Sequence, residues 1–157
     1  MPYTYEYPRP AVTADIVLFS RFENRDYVLL ILRKHPPFEG CWAFPGGFIN
    51  MDETLLESAL RELEEETGLK GIALKQFYTY GDPDRDPRHR TITVVFTGRY
   101  NDLPSVTGMD DASEAKWHPI NEIPRLGFDH EIILNDVLQE METSLINLNK
   151  TNGDEEK

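Results

Sequence analysis

Between Asp52 and Glu66 the chain places seven acidic residues and one basic residue, Arg61, in a window with a net charge of −6. Like charges at helical spacing repel one another, so a fold that carries this segment has to offset the repulsion from outside it. The pattern is nevertheless helical. From Thr54 to Thr67, Leu55, Leu56, Ala59, Leu60 and Leu63 fall within an arc of about 140° at helical periodicity, which predicts one face sunk into a core. Thr54 and Glu57 have capping-box spacing at the start, and Gly68 supplies a left-handed stop.

The acids of this helix divide by face. Glu57 and Glu64 sit together away from most of the leucines and read as a solvated surface. Glu62, Glu65 and Glu66, at i, i+3 and i+4, lie within about 100° of one another beside the apolar arc, so three carboxylates are expected to converge on one spot. Hard divalent cations such as Mg²⁺ or Mn²⁺ take oxygen ligands and leave positions for phosphate oxygens, so a metal and phosphate site is the natural inference. Ser58, one turn before Glu62, is small enough to leave room there.

The whole chain has 157 residues and a net charge of −12, with 39% hydrophobic and 28% charged residues. That length suits one domain with a real core. The acidity disfavours a surface that wraps nucleic acid, since phosphate binding is driven by basic residues. No run of about 18 apolar residues predicts a membrane span. A single cysteine, Cys41, excludes an internal disulfide or a thiolate metal cluster and fits a reducing cytoplasm; it is expected to be buried and inert. The start, Met-Pro-Tyr-Thr-Tyr-Glu, has neither a basic nor an apolar stretch of signal type.

Thr13 to Ser20 and Asp26 to Arg33 are β-branched and aliphatic runs around a polar connection, predicting a hairpin. A short apolar piece, Cys41 to Phe44, precedes Pro45-Gly46-Gly47, where regular structure stops. Strand patterns return at Ile72 to Tyr80, Thr91 to Tyr100 and Ala115 to His118. A last helix carries Ile132, Ile133, Leu134, Val137, Leu138 and Met141, with Asp129 as its N-cap. The fold class expected is mixed α and β, with residues 1–145 as one domain and residues 146–157 as a frayed or disordered polar tail.

Gly47, Glu53, Arg61, Glu62, Leu63, Glu65, Glu66, Gly68 and Leu69 match every specified position of G-x(5)-E-x(7)-R-E-U-x-E-E-x-G-U, with U aliphatic. That is the Nudix box, and the chain resembles the Nudix hydrolases. A chance match at one start position is on the order of one in a billion. The flanking elements also fall where the α/β/α sandwich with a mixed sheet would put them, so the resemblance spans residues 5–145. It implies hydrolysis of a nucleoside diphosphate linked to another group, by water attack on one phosphorus of a metal-bound pyrophosphate. Residue by residue, it gives Glu62, Glu65 and Glu66 the metal-ligand role. Arg61 is similar to the arginine that orients these glutamates, and Glu53 resembles its partner. It lets Gly46 and Gly47 bring loop backbone close to the helix, with amides toward phosphate.

The loop from Tyr80 to His89 is dense in turn formers, and a plain surface connection explains its Gly and Pro. Arg85 and Arg88, three apart among aspartates, offer planar donors to phosphate or ribose oxygens. The Asp-Pro-Asp-Arg-Asp-Pro-Arg run resembles Nudix enzymes of the ADP-ribose pyrophosphatase type, and also the Nudix domain of NAD-linked transcriptional regulators. ADP-ribose, cleaved to AMP and ribose 5-phosphate, is therefore the expected substrate. A general base can come from Asp110, Asp111 or Glu114 on a loop, or from Glu65 or Glu66. His130, Trp42 and Phe44 are expected to be structural; the sharper alternatives are that Phe128-Asp129-His130 borders the substrate pocket and that Trp42 and Phe44 stack on a nucleobase. The aromatic start, with Tyr3, Tyr5 and Tyr7, reads as an extended strand or arm that can cover a partner subunit in a homodimer.

Two alternatives stand beside this reading. A regulator would bind ADP-ribose without hydrolysis and carry a winged helix, for which the roughly ten residues after the last predicted helix are too few. A hydrolase of oxidised nucleoside triphosphates or RNA ends would share the helix chemistry and differ in its substrate loops.

Overall fold

The computed structural model describes residues 2–154. β1 (Ala11–Phe22) and β2 (Arg25–Arg33) form the antiparallel hairpin the sequence predicts, turning through Glu23 and Asn24, both with positive φ. β3 (Trp42–Ala43) and β4 (Gly46–Phe48) are short, and β5 (Lys75–Tyr80), β6 (Thr91–Tyr100) and β7 (Ala112–Pro119) follow helix α1 (Leu55–Thr67). The strands join in one sheet of order β3-β2-β1-β6-β5, with β4 on β1 and β7 on β2. β1 runs parallel to β6 from Ala11↔Thr91 to Ser20↔Tyr100, while its other pairings are antiparallel. The sheet is therefore mixed.

Alternation along β1 sorts the core into two layers. Ala14, Ile16 and Leu18 point to one face with Leu29, Val94 and Phe96, where Ala59 and Leu63 of α1 cover them. Val17 and Phe19 point to the other with Val28, Leu30 and Val95, covered by Ile133, Leu134 and Val137 of helix α2 (His130–Asp154). The result is a helix, sheet, helix sandwich. In the first helix, the capping box and the left-handed Gly68 form as the sequence predicts. Leu56, at one side of the apolar arc, stays 41% exposed, and Ile132 of α2 is 60% exposed rather than packed.

α2 differs most from expectation. The polar stretch after Ile146, expected to be frayed or disordered, continues the helix as far as Asp154. Once a helix is nucleated, each further residue adds a backbone bond, and no proline interrupts this stretch. The end of the expected tail, 155–157, lies outside the described residues. Tyr3, Tyr5 and Tyr7 belong to no strand and are exposed, with Tyr3 stacked on Tyr5 and the Arg9 guanidinium over Tyr5. Among the described residues no helix is long and apolar enough to cross a membrane.

Candidate active site

A cleft of about 300 Å³ opens where β1, β2, β4, α1, the 80–90 loop and the start of α2 meet. Its acidic wall comes from α1. Arg61 organises that wall: Nε donates to Glu53 at 2.7 Å, Nη1 to Glu62 at 2.7 Å and Glu65 at 3.1 Å, and Nη2 to the Phe48 carbonyl at 3.1 Å. Glu53 also accepts from the Ser58 hydroxyl at 2.6 Å. Hydrogen bonds from Arg61 and then Ser58 hold its carboxyl at a pKa of about 2. Ser58 is thus a second donor to Glu53, not a gap left for ions.

Glu62, Glu65 and Glu66 all line this cleft, each turned toward its own partner. Among the described residues no three Asp, Glu, His or Cys side chains are arranged to hold a metal ion. Glu62 and Glu65 share the Arg61 guanidinium, while the Glu66 carboxylate is buried and, among the described residues, accepts the Gly46 amide alone, at 3.0 Å. Burial raises the Glu66 carboxyl to a pKa of about 8, against the lowering effect of the Gly46 bond, and Glu62, Asp15 and Asp111 push it the same way. Burial also raises the pKa of Glu62.

The two glycines bring loop backbone close to the carboxylates of α1. The Gly46 amide donates to Glu66, and a Cβ at Gly46 would stand 2.3 Å from the Ala14 carbonyl oxygen. A Cβ at Gly47 would stand 2.5 Å from the Glu62 carboxyl carbon. At Gly46 a side chain would collide with backbone, and at Gly47 it would push the Glu62 carboxylate aside.

The two loop arginines are also differently placed. Arg85 donates through Nε at 2.9 Å and Nη2 at 2.7 Å to Asp129, with its side chain only 3% exposed. Arg88 forks onto Asp86 at 3.0 and 2.7 Å. Both line the cleft, yet their bidentate faces are spent on Asp129 and Asp86. Asp129, expected as the N-cap of α2, gives its carboxylate to Arg85, while its carbonyl accepts the Ile133 amide.

Asp110 and Asp111 reach the cleft, on a loop docked to the end of α1 by Met109 N–H to Glu66 O at 3.2 Å and Thr107 N–H to Thr67 O at 3.2 Å. Glu114 does not line it; it lies exposed on β7 opposite Leu32. Sequence reasoning missed Asp15, Arg33 and His35; all three line the cleft, together with Phe128 and His130 from the start of α2. A signal existed for Asp15, a carboxylate amid the apolar β1 run. It is buried, accepts the Thr93 hydroxyl, and lies 3.9 Å from His130 Nε2. His130 lines the cleft and is tied to the core: its Nδ1 accepts the Phe44 amide at 3.1 Å, Phe44 stacks on its ring, and burial lowers its pKa. Cys41 is half-buried, and Trp42 packs edge-on against His118.

The model of the NUDIX domain matches residues 9–137. The chain belongs to the Nudix family. It is 41% identical over 137 residues to an ADP-ribose pyrophosphatase of Methanocaldococcus jannaschii, covering 85% of this chain and 76% of that one. Its fold is similar to the NUDIX domain of Shewanella oneidensis NrtR in complex with ADP ribose, with a TM-score of 0.81, 31% identity, and coverage of 86% of this chain and 90% of that one. It is also similar to a bifunctional NMN adenylyltransferase/ADP ribose pyrophosphatase of Francisella tularensis complexed with AMP and a manganese ion. There the TM-score is 0.75 at 30% identity, covering 87% of this chain and 43% of that one. As a Nudix hydrolase, the chain belongs to a group generally dependent on divalent metal, and its cleft offers the hard oxygen donors such ions take.

Proposed function

We propose that this Nudix hydrolase cleaves the pyrophosphate bond of ADP-ribose, giving AMP and ribose 5-phosphate, with Mg²⁺ or Mn²⁺ bound by Glu62, Glu65 and Glu66. The carrying observation is Glu66: a buried carboxylate whose bonded partner is one neutral amide, crowded by Glu62 and Asp15. Such a site is costly as a bare anion and favourable once a cation stands beside it. The donor set, all carboxylate oxygen, fits a hard divalent ion. When bound, that ion supplies positive charge against the pyrophosphate oxygens and the leaving phosphate.

The chain's own residues do the rest. Arg61, clamped by Glu53, holds Glu62 and Glu65 in place and shares its charge with them until an ion competes for their oxygens. Gly46 orients Glu66, and Gly47 leaves the Glu62 carboxylate room against the strand. Asp110 and Asp111, with Glu65 and Glu66, are the groups positioned to accept a proton from the attacking water. Arg85 and Arg88 shape the substrate wall through their aspartates.

The likeness to the M. jannaschii pyrophosphatase and to two structures whose names include ADP-ribose supports the substrate. A single Nudix domain over residues 1–145, a cytoplasmic setting and a homodimer using the aromatic arm belong to the same reading. The net charge of −12 favours a small nucleotide over long RNA.

The test is a turnover panel with Mg²⁺ on wild type and Glu65→Gln. ADP-ribose should give AMP and ribose 5-phosphate, and the variant should fold while losing at least about a hundredfold in turnover. Cleavage of another nucleotide in preference to ADP-ribose would overturn the substrate, and undiminished turnover by the variant would overturn the site.

A further inference from the structure

Four arginines line the cleft, and three are neutralised by carboxylates at 2.7 Å: Arg61 by Glu53 and Glu62, Arg85 by Asp129, Arg88 by Asp86. The fourth, Arg33 at the end of β2, is held differently. Its Nε donates to the Pro37 carbonyl at 2.7 Å and its Nη2 to the His35 carbonyl at 3.3 Å. The guanidinium carbon lies 4.9 Å from the centre of the Phe128 ring. Phe128 has φ +53°, and the Arg88 guanidinium approaches the same ring at 5.8 Å.

Neutral carbonyls and an aromatic face fix the orientation of a guanidinium without cancelling its charge. Among the described residues Arg33 has no ion-pair partner, and it keeps unspent N–H donors, since two of its five are placed. Burial and then Arg88 lower its pKa, while Glu66, Asp86 and Asp111 act in the opposite sense without forming an ion pair with it. An immobilised, half-buried and uncompensated cation facing a cleft is a position prepared for an anion.

We propose that Arg33 is the residue that grips a phosphate of the substrate, across the cleft from the acidic wall of α1. The inference deepens the pyrophosphatase reading and rests on it for the substrate class. The phosphate-bearing part of a nucleoside diphosphate derivative lies between two unlike walls, with bridging cations on the carboxylate side and the Arg33 fork on the other. Arg85 and Arg88, which sequence spacing singled out for this task, act instead as braces of the surrounding loop.

The experiment compares wild type, Arg33→Gln and Arg33→Lys. Glutamine keeps a donor for the turn carbonyls and loses the charge; lysine keeps the charge and loses the fork. Each is assayed with whichever nucleotide of the panel the wild type cleaves best, and with AMP, ribose 5-phosphate and neutral adenosine as inhibitors. Arg33→Gln should lose about tenfold to a hundredfold in kcat/KM, with Arg33→Lys between it and wild type. Inhibition by at least one monophosphate should weaken about tenfold or more, and inhibition by adenosine should not. A merely structural Arg33 would weaken adenosine and monophosphates alike, which overturns the inference. So does wild-type kcat/KM in Arg33→Gln, or a wild type that neither monophosphate inhibits. If the preferred nucleotide is not ADP-ribose but the Arg33 pattern holds, the substrate assignment fails and the anion grip stands. Should Arg33→Gln not fold, Arg33→Lys decides: full activity and unchanged monophosphate inhibition would refute a fork.

Discussion

Glu66 is the residue in which burial and charge conflict most directly. Its pKa of about 8 in the folded chain lies above the ordinary 4.5, so the native state binds the proton more tightly than the unfolded one. In metal-free protein its contribution is full below about pH 4.5 and is lost as pH rises toward 8. Thermal unfolding in chelator should therefore show a midpoint that declines across that window, and Glu66→Gln should remove the decline; a flat wild-type profile would contradict it. Arg85 and Asp129 present the opposite case, a buried charge fully matched. Asp129→Asn strands a guanidinium that is almost wholly enclosed and should cost about 3–5 kcal/mol in denaturant unfolding. Arg85→Lys should recover only part of the loss from Arg85→Met, since an ammonium cannot make the paired fork.

At the scale of elements, α1 is positioned from both ends. Thr54 and Glu57 close its first turn with reciprocal bonds of 3.2 and 2.7 Å, and Gly68 closes the last with its amide on the Glu64 carbonyl at 2.8 Å. Thr54→Ala should destabilise by about 0.5–2 kcal/mol, seen in denaturant midpoint, with kcat nearly unchanged because Thr54 lies outside the cleft. Gly47→Ala should do the reverse, displacing the Glu62 carboxylate and abolishing metal-dependent turnover at modest cost in stability. Helix α1 was legible in the sequence because its information is local: periodicity, caps and the box motif all lie within 23 residues. The longer strands were legible for the same reason; β4 was not, because Gly46 and Gly47 read as a stop, whereas they extend and pair with Ala14 and Asp15 of β1. What the sequence hid was pairing across distance. Nothing in the spacing of Arg85 reveals that its partner is Asp129, 44 positions away, or that Gly46 spends its amide on Glu66. The end of α2 was misread because polarity signals exposure, and an exposed stretch can still be helical.

For the whole molecule, the cleft draws on both layers of the sandwich, so ligand binding and global stability are linked. At pH 8, Mg²⁺ at about a hundred times its dissociation constant should stabilise wild type by about 2.7 kcal/mol, read as an upward shift in melting temperature. Glu66→Gln, already relieved of its charge, should gain much less. The central pairing of β1 with β6 carries a different implication. Each partner of Ala11 to Ser20 lies eighty residues downstream, so a nascent chain emerging from the ribosome cannot complete its middle until Tyr100 has cleared the exit tunnel. Until then the hairpin of β1 and β2 exposes a greasy, unpaired edge. Synthesis speed and chaperone supply should therefore govern the yield of this protein more than they would for a chain whose neighbours in space are neighbours in order.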